Sequence, residues 1–295
     1  MLDYPSLAAV AAVITEGSFE RAAAALGMTP SAVSQRVRGL EERLGAILIL
    51  RGAPCLPTEL GGTLCAHLDK VRLLEQDMAS VLGASVDAAP PTLRVAVNAD
   101  SLATWFPAAM AAFVRKTGVS LDLKLDDEAY TADRLRSGEV LGAVTTDLKP
   151  VQGCKVIPLG ALRYVACASP DFVARYFAQG VDGDALAVAP HLRFDRRDGL
   201  QARWAREAYG VEPGGPVHWV PSTNAFIDFA LEGLGWSMHP LQLVASHLAS
   251  GALVELAPGR RIDVQLHWAV TRLHTGLLQH LSDAVRAVAQ ERLVG

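Results

Sequence analysis

The chain of 295 residues has few of the features that mark special classes of protein. Its four cysteines, Cys55, Cys65, Cys154 and Cys167, lie far apart with no C-x-x-C pair. That spacing excludes a disulfide scaffold and argues against a structural zinc site, leaving reduced thiols. Long apolar runs are missing. The longest near the N-terminus, Leu7 to Ile14, ends at Thr15-Glu16-Gly17, whereas a spanning helix needs about 20 residues. Met1 to Pro5 holds an aspartate and no Lys or Arg, so the basic region of a signal peptide is lacking and a cytoplasmic protein without a membrane partner is expected. No positive charge excess exists either: 27 Lys and Arg face 31 Asp and Glu, for a net charge of −4. A dedicated nucleic-acid binder often has an isoelectric point above about 9. Contact with DNA must therefore rest on where basic residues are placed. Catalytic signatures are absent too, with no G-x-x-x-x-G-K-[ST], H-E-x-x-H or G-x-S-x-G. Gly233-Leu234-Gly235 lacks the third glycine of a dinucleotide fingerprint, and the eight histidines show no ligand spacing. No enzyme, catalytic residue, cofactor or metal is expected.

What remains is ordinary globular material, 51% hydrophobic and 20% charged, long enough for about two domains. Composition divides it in three. Residues 1–57 are Ala-rich with short helical patterns, 58–90 hold one long proline-free stretch followed by the turn-like ASVDAAPP, and 91–295 alternate strand and helix patterns such as LRVAVNA, SLATWFPAAMAAFVRKTG and VSLDLKLDD. Such alternation predicts βαβ units on a sheet, an α/β class.

In the first zone, Leu7, Val10, Ala11 and Ile14 at 3/4 spacing predict a helix that Gly17 ends. Ser18 caps a second helix, Phe19 to Leu26; Gly27 makes a left-handed turn; Pro30 and Ser31 open a third, to about Leu44, with Val33, Val37, Leu40 and Leu44 as its buried stripe. Two short helices joined by a Gly turn fit a helix-turn-helix or a plain αα-hairpin. The third helix exposes Ser31, Ser34, Gln35, Arg36 and Arg38, which favours the first reading, because Gln reads adenine and Arg reads guanine in the major groove. Gly45 to Arg51 then reads as a strand and Pro54 to Pro57 as a turn, a wing with Arg51 placed for phosphate.

SFERAAAALGMTPSAVSQRVRGLEERLGAILILR followed by PTELG resembles the N-terminal winged helix of LysR-type transcriptional regulators. Ala22-Ala23, Leu26, Ser31, Ser34, Leu40-Glu41, Leu44-Gly45, Leu48, Arg51, Thr58 and Gly61 match the family pattern; Ile49 stands where the family usually has Phe, and Pro57 where it has Leu. NADSLATWFP, LDDEAYT, RSGEVLGAVT and GLGWSMHP are similar to the branch that regulates basic amino acid export, the ArgP/LysG group. The resemblance implies a transcriptional regulator that binds promoter DNA, responds to lysine, arginine or histidine, and controls amino acid export or metabolism, with room for a contact to RNA polymerase. It also implies a periplasmic-binding-protein-like effector domain of two subdomains, about 91–160 with 268–295 and about 161–267. The chain would cross between them near Leu159–Leu162 and Leu266–Val270 and return through a final helix, Gly276 to Leu293. Two other readings stay open: a nonspecific chromosome-binding architectural protein, and a solute-binding or enzymatic domain fused to a helix-turn-helix.

Beyond Thr58, which can cap the long helix, Leu60, Leu64, His67, Val71, Leu74, Met78 and Val81 step by 4 and 3. That is a heptad-like seam, for a two-fold partner or for the chain's own core. A homodimer, or in the resembled family a homotetramer, follows from the first. For the effector, strand ends supply candidates. Asp100 and Ser101 open a helix after Leu93–Val97, as anion site or simple cap. Asp127 and Glu128 follow a second strand, Val119 to Leu125, as cation ligands or a solvated edge. Thr145 and Thr146 end a third, Val140 to Thr145, and Pro221 and Ser222 precede the helix Asn224 to Leu231.

Overall fold

The computed structural model describes residues 2–82, 92–125, 128–147 and 149–295. Asp127 and the whole stretch ASVDAAPP lie outside them, as do the side chains of Glu128 and Val81.

Helices α1 (Tyr4–Glu16), α2 (Phe19–Ala25) and α3 (Pro30–Leu44) form where the apolar spacing predicts. Asp3, Ser18 and Thr29 cap them, each accepting a backbone N–H through its side chain, and Gly17 and Gly45 end α1 and α3 in the left-handed conformation. Leu7, Val10, Ala22, Ala23, Val33, Val37 and Leu40 pack into one core. Leu44 does not join them and is 40% exposed, since the helix turns away to end at Gly45. The wing is also shorter than expected: β1 (Ile49–Leu50) pairs antiparallel with β2 (Leu56–Pro57). Preceding backbone is committed elsewhere. Glu41 accepts the Leu48 and Ile49 N–H groups, and Leu48 O accepts from Thr58 N at 3.0 Å. Gly61 is required at this crossing, because a Cβ there would stand 2.1 Å from Leu48 O.

Helix α4 (Glu59–Leu82) leads toward the second zone. Cys65 and Leu68 close the N-terminal core, while Leu73 enters the effector-domain core. That domain begins with β3 (Thr92–Val97), α5 (Ala99–Ala103), α6 (Phe106–Thr117), β4 (Ser120–Leu125), α7 (Glu128–Ser137) and β5 (Gly142–Thr145). The helix expected to open at Asp100 and Ser101 stops at Ala103, and a second begins at Phe106. Pro107 cannot donate an interior helical hydrogen bond and would clash with the preceding turn, so the helix restarts at Phe106.

The chain then runs through the long β6 (Cys154–Ala168), α8 (Pro170–Tyr176), α9 (Gly183–Val188), β7 (His191–Arg193), α10 (Leu200–Tyr209), β8 (Val217–Trp219), α11 (Thr223–Leu231), β9 (Ser237–Pro240), α12 (Leu241–Ser250), β10 (Val254–Glu255), β11 (Ile262–Thr271) and α13 (Gly276–Arg292). One sheet of seven strands, β10-β6-β11-β5-β3-β4 with β9 also on β6, runs through both halves; β7 and β8 form a separate parallel pair. β6 and β11 are antiparallel partners along their length, broken only by an irregularity at Leu266/His267. The stretch Leu159–Leu162 lies within β6 and Leu266–Val270 within β11. Gly160, at φ 109°, allows Val294 to exchange backbone hydrogen bonds with Ala161 there. Among the described residues no helix is long and apolar enough to cross a membrane.

Candidate functional site

Two places gather chemistry. The first is the outer face of α3. Gln35, Arg36 and Arg38 are exposed, Ser34 is half-buried, and Ser31 is exposed with its hydroxyl 3.1 Å from that of Thr29. Exposed Arg51 from the wing has its guanidinium 5.3 Å from the centre of the Phe19 ring. The structure thus brings a polar helix face and a cation into the N-terminal unit, on a rigid three-helix core. Glu41, which sequence reading passed over as a family match alone, holds the wing against α3 through its two backbone bonds.

The second place is a cavity of about 690 Å³ between the two halves of the effector domain. Asp100 is its buried anchor. The Asp100 carboxylate accepts from Tyr164 Oη at 2.7 Å on β6 and from Thr223 Oγ1 at 3.1 Å on α11, so it ties three elements together. Burial pushes its pKa up, against the lowering effect of these two hydrogen bonds, and the nearby Asp198 carboxylate adds to the rise. Both neighbouring hydroxyls are neutral, and among the described residues no ion pair to Asp100 occurs. Two lone-pair sites of a carboxylate that can accept about four hydrogen bonds are left for something else.

Asp198 faces the cavity from the loop 194–199. Its carboxylate accepts from Phe194 N at 2.9 Å, Leu200 N at 3.1 Å and Gln201 Nε2 at 3.1 Å. Its carbonyl takes the Arg193 guanidinium, with Nε at 2.6 Å. Asp195 Oδ1 closes the same loop by accepting from Arg197 N and Asp198 N at 2.7 and 3.0 Å. The loop is therefore held by its own carboxylates. Asp263, also on the wall, is matched within the protein: Arg163 donates twice at 2.8 Å and holds its carboxyl below the usual carboxylate range. Arg203, another wall residue, pairs with Glu207 at 2.8 Å. His239 forms part of the floor, with Nε2 2.6 Å from Ser237 Oγ, and burial holds it neutral with a pKa of about 3.

Of the residues expected at the effector site, Asp100 and Thr146 line the cavity. Ser101 lies buried behind it, its hydroxyl accepting from Trp105 Nε1 at 3.1 Å while Asn98 caps the helix. Buried Thr145 accepts from Asp147 N at 3.0 Å. Pro221 and Ser222 are exposed and do not line the cavity; Ser222 caps α11, and its neighbour Thr223 faces inward. Tyr164, Asp195, Asp198 and His239 were missed. The charged string FDRRDG following β7 was the one available signal, since a strand end is where such sites form.

A larger hollow, about 1310 Å³, lies between α4 and the effector domain. Arg94 and Lys124 in its wall are paired with Asp69 and Asp122, so it is a charged seam rather than a second acidic receptor.

Comparison with known proteins agrees with this architecture. Residues 5–62 match the bacterial regulatory helix-turn-helix protein, LysR family, and residues 87–291 match the LysR substrate binding domain. The HTH-type transcriptional regulator ArgP of Pseudomonas aeruginosa is 45% identical over 295 residues, covering 100% of this chain and 98% of that protein. LysG of Mycobacterium tuberculosis is 42% identical over 98% of this chain and 94% of its own length. In structure, ArgP from Mycobacterium tuberculosis aligns with a TM-score of 0.81 at 41% identity, and full-length LysG from Corynebacterium glutamicum with bound effector Arg aligns at 0.70 and 38%, each covering 100% of both chains. With both domain matches and relatives of this identity along its whole length, the chain belongs to the LysR family of bacterial transcriptional regulators.

Proposed function

We propose that the cleft between the two subdomains binds a basic amino acid and that this binding governs transcription of amino acid export or metabolism genes. One observation carries the reading. Asp100 from the first subdomain and Asp198 from the second line one cavity, close enough for their charges to interact, with only neutral donors on Asp100. A buried carboxylate without a cation is costly, and a ligand ammonium or guanidinium removes that cost. The bound arginine of the Corynebacterium LysG structure supports the same class of ligand.

In this reading α3 lies in the major groove, with Ser31, Gln35 and Arg38 at base edges and Ser34, Arg36 and Arg51 at phosphates. The exposed face of α4, formed by Leu60, His67, Leu74 and Met78, receives a second copy of the chain. A dimer presents two recognition helices, which a palindromic operator requires.

The test is a thermal-shift screen of the full-length protein against all twenty amino acids at about 10 mM, followed by titration calorimetry. A ligand at about 100 times its dissociation constant adds about 2.7 kcal/mol, a shift of several degrees. Shifts confined to arginine, lysine or histidine support the proposal. A flat response to all three refutes it and leaves family membership untouched.

A further inference from the structure

The short strands β7 and β8 lead into the cleft, and their last residues form a pair just outside it. Arg193 and Trp219 are register partners in this parallel ladder, so their side chains stand beside each other on one face. The Trp219 ring is 43% exposed and carries two guanidinium groups, Arg193 Cζ at 5.2 Å and Arg196 Cζ at 5.3 Å from its centre. The other four tryptophans, Trp105, Trp204, Trp236 and Trp268, are each at most 1% exposed. Trp219 alone of the five stays outside the buried core, and its ring face holds cations.

Arg193 does more than stack. Its Nε donates to Asp198 O at 2.6 Å, its Nη2 donates to the same oxygen, and Nη2 also reaches Arg196 O at 3.5 Å. One guanidinium thus closes the loop across its width, a use that needs donors in a fixed fork. The loop so shaped is divided. Asp195, Arg197 and Asp198 stand on the cavity wall, with Arg197 3.9 Å from Asp195, whereas Arg193 and Arg196 lie off the wall, against the indole. For a cationic ligand the division matters, because two positive charges are kept away from the carboxylates that would receive it. The other strand is tied to the same point. Val220 N donates to Arg193 O at 2.9 Å, and Thr223, shortly beyond Trp219, donates to Asp100 at 3.1 Å.

We infer that Trp219 and Arg193 are positioning residues for the effector. From outside the cavity they set the loop 194–199 and the segment 220–223, so that Asp198 and Asp100 face one space. The effector part rests on the cleft reading given above; the hold on the loop does not depend on it.

Two measurements on the full-length protein test the inference, the first without ligand. The amides of Phe194, Arg197, Asp198 and Leu200 are all bonded to loop carboxylates, so their hydrogen–deuterium exchange reads the loop's shape. Trp219→Leu keeps apolar bulk and removes the ring face. It is expected to speed exchange of these amides about five- to thirtyfold, the scale of two exposed cation–π contacts, while β6 and β11 keep wild-type rates and report an intact fold. Arg193→Lys keeps the charge but not the fork and should act in the same direction. Trp219→Phe keeps a ring face and should stay within about threefold of wild type. Titration calorimetry with arginine is the second measurement: Trp219→Leu should weaken binding by the same factor, and Trp219→Phe should recover most of it. Equal behaviour of the Leu and Phe variants would mean that bulk alone matters and would overturn the inference. Wild-type loop exchange in Trp219→Leu would overturn it too, as would wild-type arginine affinity in a variant whose loop exchanges fast. If the wild-type protein itself binds neither arginine, lysine nor histidine, the cleft reading fails instead, and the exchange rates still decide whether Trp219 and Arg193 hold the loop.

Discussion

Replacing Asp100 by Asn separates the cost of the buried charge from its use. The carboxylate is buried, accepts two hydrogen bonds from neutral hydroxyls and lies near the charge of Asp198. In the protein without ligand, all of this disfavours the ionised form, so the folded-state pKa is raised. The sign follows. The folded chain holds the proton more tightly than the unfolded chain, so stability increases as pH falls through the raised value and is lowered above it. Asn is nearly the same shape, keeps an acceptor oxygen and carries no charge. At neutral pH Asp100→Asn is expected to stabilise the unliganded protein by about 0.5–2 kcal/mol, the usual gain from neutralising a strained functional site. For a domain of this size that is about 1–6 °C in Tm. With ligand the sign reverses. Loss of a buried charge-assisted contact costs about 2–4 kcal/mol, so arginine should bind about 30- to 1000-fold more weakly. Scanning fluorimetry with and without 10 mM arginine reads both effects on one plate, and calorimetry gives the affinity. Wild-type arginine affinity in the Asn variant, or a Tm several degrees below wild type without ligand, would refute the reasoning.

Other consequences can be checked as readily. Gln35→Ala should cost about 1–3 kcal/mol on a duplex selected by the wild-type protein and relax preference at one or two base pairs, whereas Arg51→Ala should weaken all duplexes alike and reduce the salt slope by about one; an equal loss on every sequence for Gln35→Ala counts against base reading. Leu74→Glu/Met78→Glu puts charges on the exposed face of α4 and should raise a dimer dissociation constant about a hundredfold, or about 3 kcal/mol, which size-exclusion chromatography with light scattering would show. His239 and His191 are held neutral by burial, with pKa values of about 3 and about 4. Their lowered values mean that the unfolded chain takes up protons the native chain refuses, so stability is full above about pH 6.5 and falls below it, by roughly 1–2 kcal/mol per histidine at pH 5. Urea midpoints measured between pH 7 and 5 in wild type and His239→Met should show a shallower fall in the variant.

The sequence by itself determined what depends on near neighbours in the chain. The cap at Ser18, the glycines at Gly17 and Gly27, and the Val33–Val37–Leu40 stripe place the three N-terminal helices, because a cap or a turn is settled within about four residues; Gly45, read as the start of a strand, instead ends α3 in the left-handed conformation. The alternation of strands and helices after Thr92 settled the α/β class for the same reason. Tertiary structure alone decided the cleft. Asp100, Tyr164, Asp198 and Thr223 are separated by tens of residues and meet only because β6 and β11 carry the chain from one half to the other. It also decided which hydroxyls remained for a ligand: Ser101 and Thr145 sit at the expected strand ends, yet Trp105 and the Asp147 amide claim them. No spacing rule reports such a competition, because a buried donor takes the nearest acceptor in space, whatever its position in the chain. The same holds for α4, whose pattern marked an apolar seam but gave no sign that Asp69 would meet Arg94 of the effector domain.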